Sequence, residues 1–288
     1  MANVIYSIYI EIEKENYDQN IGSYYYDEKT GVSKSRRSHY EYEKYKKELA
    51  LCKEIYSDVI GCDFILFGND KDYKNFSKKM LSECPHLSKY EIINFYKFDR
   101  AVHCAKTYDN VLFLDFDVIP NNFHNWFDYF DPSKFHVQDS PIRVSLPKDV
   151  LSGRWQLDAR APEAKMYNAG KLLEMYNLDT DDNKPWNTAI MGFTSEMMDK
   201  LDYFKDFTLT MEAMYLLKQQ NLPKPYKRLL GYDNETLFGF RIIQHKIPYQ
   251  ILPVKWHYLV DDLSIKKVHD NICFCHCIDK QFGRFFGY

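Results

Sequence analysis

The sequence predicts an α/β protein with a mainly parallel central sheet flanked by helices. Three observations carry this expectation. Short apolar runs rich in Ile, Val, Phe and Tyr stand at Asn3 to Ile12, Cys62 to Phe67 and Asn110 to Phe116, the composition of buried strands. Between them lie segments whose apolar residues recur at spacings of three and four, the period of a helix with one buried face. Strands that alternate with helices as far as Pro120 need crossover connections, and these build a parallel sheet covered on both faces.

The first strand ends in a polar loop. Aromatics at Tyr24 to Val32 and the run Asp27-Glu28-Lys29-Thr30-Gly31 fit a small hairpin insertion turning at Gly31. The pair Arg36-Arg37 then precedes a helix from Tyr40 to Val59, patterned by Tyr42, Tyr45, Leu49, Cys52, Ile55, Tyr56 and Val59. Gly61 ends it, and the second strand stops at Gly68-Asn69-Asp70. A helix at Tyr73 to Leu81, a short strand at Tyr90 to Phe95 and a helix at Phe98 to Thr107 lead into the third strand. Beyond Pro120, Pro132, Pro141, Pro147, Pro162 and Pro185 break the pattern into short pieces. Helical spacing returns at Pro162 to Tyr176, Ser195 to Phe204 and Leu209 to Gln220, the last closed by Pro223 and Pro225. Strand-like segments stand at Ala189 to Phe193, Ile251 to Trp256 and Ile272 to Ile278. The chain carries no internal repeat and no low-complexity tract.

The length of 288 residues suits one large domain spanning residues 1–288. A formal charge of -3 gives no basic excess, so nucleic acid is not an expected partner. The 24 Tyr and 20 Phe supply buried area and hydroxyls that suit sugars, although the same bias follows from an AT-rich coding sequence. Seven cysteines are an odd count, scattered through packed elements, which argues against a disulfide framework. No apolar stretch reaches the ~18 to 20 residues of a membrane span. Met1 to Glu13 lacks a cationic leader, so a cytoplasmic location is expected.

In Val111-Leu112-Phe113-Leu114-Asp115-Phe116-Asp117 two carboxylates follow four apolar residues. Ligands of open parallel sheets bind beyond the carboxyl ends of the strands, and i, i+2 residues of an extended chain point to one side. Two oxygen donors there suit Mg²⁺ or Mn²⁺, which keep further positions for phosphate oxygens and water. A divalent ion neutralises a diphosphate leaving group as a Lewis acid. The plainer alternative is a solvated strand end, since Asp is a common turn residue. A third ligand should fold back from a distant segment. In Asn271 to Ile278, strand alternation puts His276 on one face and Cys273, Cys275 and Cys277 on the other. His257 is the competing ligand, and a zinc site of three cysteines with His276 is opposed by that alternation.

This acidic element resembles that of the GT-A glycosyltransferases, whose Asp-x-Asp sits at such a strand end. The segment Tyr96-Lys97-Phe98-Asp99-Arg100 through Asp117 looks like the stretch of retaining members where a helix runs into the metal strand. Aromatic abundance also resembles glycosyltransferases encoded by large algal viruses, which would place the protein in a host cytoplasm. The resemblance implies a GT-A, Rossmann-like fold with a nucleotide-binding half (1–120) and an acceptor-binding half (121–288). It implies Mn²⁺ or Mg²⁺ on Asp115, Asp117 and His276, a UDP-sugar donor with GDP-sugar second, and a carbohydrate or glycoprotein acceptor. His276 with Lys280 is similar to the family's late His and diphosphate-binding Lys, although Cys277 and Ile278 stand where members often carry glycine.

By the same resemblance Tyr9 and Ile10 lie against the base, Phe116 beside the nucleotide, and Asp99 and Arg100 near ribose or phosphates. Arg36 and Arg37 either close over the diphosphate or form a solvated face. Lys184 to Phe193 is similar to the strand bordering the donor sugar. There Asn187 would bind hydroxyls and Trp186 would offer a face to a pyranose ring; otherwise the two are a turn residue and a core aromatic. Asp233, Asn234 and Glu235 open a helix, as caps or as acceptor and donor-sugar contacts. Asp233 is the general base of an inverting reaction or a sugar-positioning group of a retaining one, with Glu235 in reserve. Three rivals remain. A sugar nucleotidyltransferase usually brings an N-terminal glycine-rich loop, and Met1 to Gly22 has a single Gly. A non-catalytic carbohydrate- or nucleotide-binding or capsid-associated protein would keep the fold without a metal. A phosphatase or nuclease would want further clustered acids or histidines after Asp117.

Overall fold

The computed structural model describes residues 2–19, 34–139, 160–219, 233–260, 268–278 and 280–287. The expected hairpin at Tyr24 to Val32 and the breakers Pro141, Pro147, Pro223 and Pro225 lie outside the described residues. The expected α/β architecture is present, with a mainly parallel sheet between helices. Strands β1 (Asn3–Ile8), β2 (Asp63–Phe67), β3 (Asn110–Leu114), β5 (Phe135–Asp139), β6 (Trp186–Thr194) and β7 (Tyr249–Ile251) form one six-stranded sheet in the order β2-β1-β3-β6-β5-β7. The pairs β1/β2, β1/β3 and β5/β7 are parallel, and β6 runs antiparallel to both β3 and β5. Strands from both sides of Pro120 therefore share one sheet. A second sheet holds β4 (Val118–Pro120), β8 (Tyr258–Val260) and β9 (Phe274–Cys277) in the order β4-β9-β8.

Alternation along the central strands feeds two cores. Val4, Tyr6, Val111 and Phe113 face a cluster with Phe95 and Phe98 of helix α3 (Lys89–Ala105). Ile5, Leu112 and Leu114 face Tyr56 of helix α1 (Lys34–Ile60), together with Trp126, Trp256 and Phe274. Each such side chain contributes about 1.5–3 kcal/mol of transfer free energy. Helix α2 (Lys71–Glu83) starts where the Asp70 carboxylate accepts from the Tyr73 amide at 2.8 Å.

Several expectations need correction. Residues 90–95 are not a strand: α3 is one helix from Lys89 to Ala105. A capping box sets its start, the Ser88 hydroxyl accepting from the Glu91 amide (3.2 Å) and the Glu91 carboxylate from the Ser88 amide (2.7 Å). Ile92, Phe95 and Tyr96 then fall at helical spacing on the buried face, so packing overrides their strand preference. Helix α1 begins at Lys34, which puts Arg36 and Arg37 inside its first turn. Its buried face runs through Tyr45, Leu49, Lys53 and Tyr56, while Ile55 and Val59 of the expected stripe are exposed. The strand expected at Ile251 to Trp256 stops at Ile251. Val254–Trp256 is a 3-10 turn after Pro253, which has no amide proton for a ladder.

Among the described residues the remaining α-helices are α4 (Trp126–Tyr129), α5 (Arg160–Met175), α6 (Ser195–Leu201), α7 (Phe207–Gln219), α8 (Asp233–Gln244) and α9 (Gly283–Phe286). Among the described residues no helix is long and apolar enough to cross a membrane.

Candidate active site

Strand β3 ends under the control of its neighbours. The Ser7 hydroxyl donates to the Leu114 carbonyl at 2.5 Å, and the Asp115 amide donates to the Ala189 carbonyl at 2.7 Å. The chain then reverses: the Val118 amide donates to the Asp115 carbonyl at 2.9 Å, closing a β-turn over 115–118. The acidic pair thus lies on a tight turn, and the extended i, i+2 geometry expected for it does not hold. β4 next pairs antiparallel with β9, Val118 opposite His276, and the Cys277 amide donates to the Asp117 carbonyl at 3.0 Å.

That pairing delivers the return segment to the carboxylates. His276 Nε2 lies 3.3 Å from Asp117 Oδ2, and Lys280 Nζ donates to the same oxygen. Lys280 is held at φ 55°, the left-handed region, in a turn in which its amide donates to the Cys277 carbonyl at 3.0 Å. His276 Nδ1 is 3.0 Å from His257 Nε2. The two rival histidines therefore share one site, His276 against the carboxylate and His257 behind it, orienting the ring. Cys275 and Cys277 pack on the opposite side with Tyr45, Leu49 and Phe116, and Cys273 joins the Trp126 core. The cysteines are thus separated from His276, as strand alternation requires.

The two acids are not equivalent. Asp117 has a side chain only 4% exposed, against 36% for Asp115. Burial would raise the Asp117 carboxyl, but the Lys280 ammonium and the His276 ring overcome it and hold that carboxyl well below the ordinary range. Asp115 is raised, by burial first and by the neighbouring Asp117 charge, with Lys97, His276 and Lys280 opposing. Lys97, buried on α3, places Nζ 3.9 Å from Asp115 Oδ2 and donates to the Thr188 carbonyl at 3.4 Å. Among the described residues no group of three or more His, Cys, Asp or Glu is gathered as a ready metal cage. By chemistry the donor types of Asp115, Asp117 and His276, two carboxylates and an imidazole, nonetheless fit a hard divalent ion that keeps open positions, and Asp117 pairs here with the Lys280 ammonium.

One wall is aromatic. Tyr9 stacks on Phe116 with centroids 4.6 Å apart, Tyr42 stands 5.9 Å from Phe116, and Lys280 Nζ lies 5.6 Å over the Tyr42 ring. Burial, with Glu11 and Glu43, pushes the Tyr9 phenol to about 12. Tyr42 is raised too, by burial and then by the charges of Asp117 and Asp115. Tyr90, in the first turn of α3, is raised to about 12 by burial and by the fields of Asp115, Glu235 and Asp117. Sequence reasoning missed Tyr42, Tyr90 and Lys97 as site residues. The spacing of Tyr90 and Lys97 on one continuous helix would have shown them had residues 90–95 not been read as a strand.

Other expected residues are placed elsewhere. Arg100 is engaged by Asp72 (3.0 Å) and Asp99 (2.6 Å), its guanidinium over the Phe67 and Tyr96 rings. Asp72, Asp99 and Arg100, with Asn75, Lys79 and Phe204, line a separate groove of about 410 Å³ between α2 and α3, so neither Asp99 nor Arg100 is brought to the acidic turn. Ile10 is a core residue. Trp186, expected as a sugar platform, is 1% exposed. It packs against Phe238, Tyr249 and Gly239, where an added Cβ would come within 2.5 Å of its ring. Asn234 is an internal brace: its side-chain amide donates to Thr188 Oγ1 at 3.3 Å and its carbonyl accepts from the Tyr203 hydroxyl at 2.9 Å. Asn187 is half-buried, and its Oδ1 accepts from the Ala189 amide at 3.0 Å.

Thr188 is the hub of this corner. Its amide and hydroxyl donate to Glu235 Oε1 at 2.9 and 3.4 Å, while its carbonyl accepts from Lys97. A chain of polar contacts so runs from the first turn of α8 to Asp115. Asp233 opens α8; its side chain lies outside the described residues.

Solved structures similar in fold include a glycosyltransferase involved in the glycosylation of the major capsid of PBCV-1, at 12% identity, 96% of this chain and 93% of that chain, with a TM-score of 0.41. Mouse xyloside xylosyltransferase 1 in its apo form is similar at 11% identity, 96% of this chain and 98% of that chain, with a TM-score of 0.46. No protein-family model matches the chain, and no curated protein matches it.

Proposed function

We propose that this chain is a metal-dependent glycosyltransferase of GT-A type, moving a sugar from a nucleotide-diphosphate donor, UDP-sugar first, to a glycan or protein-linked acceptor. The observation that carries the reading is the convergence on one buried carboxylate, Asp117, of His276 Nε2 at 3.3 Å and of Lys280 from 163 residues away, with the more exposed Asp115 beside it. Asp115, Asp117 and His276 would hold Mn²⁺ or Mg²⁺, which when bound supplies charge neutralisation for a departing diphosphate.

The chain's own residues do the rest. Lys280 brings an ammonium for phosphate oxygens, and His257 fixes the ring of His276. Tyr9 and Phe116 form the apolar wall for the base. Lys97 and half-buried Asn187 offer hydrogen bonds to sugar hydroxyls beside Asp115. Asp233 stands at the acceptor side, as base in an inverting reaction and as a sugar-positioning group in a retaining one. In this reading residues 1–120 carry most of the nucleotide side and 121–288 the acceptor side, with His276 and Lys280 reaching back to the diphosphate.

The test is calorimetric titration of UDP, then GDP, with Mn²⁺ and with EDTA, on the wild type and on Asp115→Ala and Asp117→Ala. Binding that needs the metal and disappears in both variants supports the reading. Failure to bind any nucleotide under any condition sinks it. The ion pair already closing Lys280 onto Asp117 favours one second reading, a non-catalytic nucleotide-binding protein, and binding undiminished by EDTA would select it.

A further inference from the structure

Helix α1 buries a lysine where its pattern calls for an apolar residue. Tyr45, Leu49, Lys53 and Tyr56 form its inner face, and Lys53 is 0% exposed. Its Nζ donates to the Leu49 carbonyl at 3.0 Å, one turn back, and to the Phe116 carbonyl at 2.9 Å. Phe116 is the residue between the two aspartates, and its ring centroid lies 5.1 Å from the same ammonium. An ammonium that among the described residues meets carbonyls and a ring is costly to bury, because neither carries a full negative charge. A leucine or methionine would fill this helix position at lower cost. Lys53 is accordingly explained by what lies just beyond Phe116, the paired charges of Asp115 and Asp117.

We infer that Lys53 is a positioning residue for the acidic turn, an internal counter-charge that anchors the Phe116 carbonyl and keeps the two carboxylates in place when no cation is bound. The inference deepens the reading of the turn as a metal site and rests on it. The electrostatics agree in direction: burial lowers the Lys53 ammonium, while Cys52, Asp117, Cys277 and Asp115 act in the opposite sense. The same bond fixes the Phe116 ring against Tyr9, so one side chain of α1 places both the carboxylates and the aromatic wall.

A double-mutant cycle of Lys53→Met with Asp117→Asn, read by urea unfolding in EDTA, tests the charge role without metal or nucleotide. Lys53→Met is expected to be at least tenfold less damaging to the unfolding equilibrium constant in the Asp117→Asn background, where the counter-charge has lost a partner. Effects that multiply independently, within about twofold, overturn the inference and leave Lys53 as packing. Should Lys53→Met not fold beside Asp117, recovery in the Asp117→Asn background is the same coupling, and failure in both backgrounds overturns it. A second arm adds Mn²⁺ alone: its melting-temperature shift is expected to be larger in Lys53→Met than in wild type, since the ion replaces the lost ammonium. Where Mn²⁺ does shift the wild type, an equal or smaller shift in the variant counts against the counter-charge. A cycle that couples while Mn²⁺ shifts neither protein retains Lys53's role and removes the metal reading.

Discussion

Asp115 and Asp117 come from the region that follows directly on β3, a fully buried central strand that pairs parallel with β1 and antiparallel with β6. His276 and Lys280 come from a return segment that meets the same carboxylates only because β9 pairs across β4. The first region carries the apolar floor, with Leu114 and the turn fixed by Ser7 and Ala189. The second supplies the positive groups and the histidine pair. A site assembled this way is sensitive in different manners on its two sides: damage to the turn removes the ligand set, whereas damage to the return segment leaves a carboxylate buried without its partners.

The largest expected effect is therefore at Asp117. Asp117→Ala should lower metal-dependent nucleotide affinity at least a hundredfold by calorimetry. It should also cost about 3–5 kcal/mol of stability, the usual result of leaving buried charges uncompensated. The sign of its pH dependence follows from the lowered carboxyl. A group held below its unfolded value contributes stability that is present at neutral pH and is lost as pH falls below about 4. Thermal melts from pH 7 to pH 3 should show a flatter acid limb in Asp117→Asn than in wild type, and an identical limb would remove Asp117 from the account. Lys280→Ala should weaken nucleotide binding less than Asp117→Ala does, because it removes a phosphate contact and leaves both carboxylates.

Trp186 sharpens the contrast between core and site. Buried against Gly239 and Phe238, it should cost about 3–5 kcal/mol when cut to Ala, measured by urea unfolding. Nucleotide affinity of the folded fraction should remain within about twofold of wild type, since the reduction in affinity expected for a lost sugar or base contact is larger. Thr188→Val comes next. It leaves the amide bond to Glu235 but removes the hydroxyl that joins Glu235 and Asn234, at about 1–2 kcal/mol for a buried polar pair left short of a partner.

The fold class was legible because strand composition and helix period are local properties of the chain, and so was the strand that ends at Leu114. The tight turn that carries Asp115 and Asp117 was not, because it is closed by the Val118 amide on the Asp115 carbonyl and the pair was expected on extended chain. The partners of that turn were legible only in part. His276 stood out by residue type and strand alternation and Lys280 only through the family resemblance, but their meeting with Asp117 depends on the β4/β9 pair, and three-residue β4 has no sequence signal of its own. Lys53 was invisible because a lysine among helical apolar positions reads as surface until burial is known. Trp186 was left open between sugar platform and core aromatic for the reverse reason: an aromatic beside an asparagine looks alike whether it lines a pocket or fills a core, and burial against Gly239 decides for the core.

Ser88 bears on the smallest of these differences. Residues 90–95 carry two isoleucines and two aromatics, and read by propensity they are a strand. In the structure Ser88 and Glu91 close a capping box, and the helix that follows places Lys97 3.9 Å from Asp115 and Tyr90 within the field of both acids. Removing the Ser88 hydroxyl leaves the Glu91 amide without its acceptor, so Ser88→Ala should cost about 1 kcal/mol. The loss should appear in hydrogen exchange as faster exchange confined to the first turn of α3. Nucleotide affinity should fall by no more than a few fold, through Tyr90. Faster exchange along the whole of 90–95 with α3 otherwise intact would instead mean that this stretch holds its helix only through the cap, and that its strand preference is still near the surface of the energy balance.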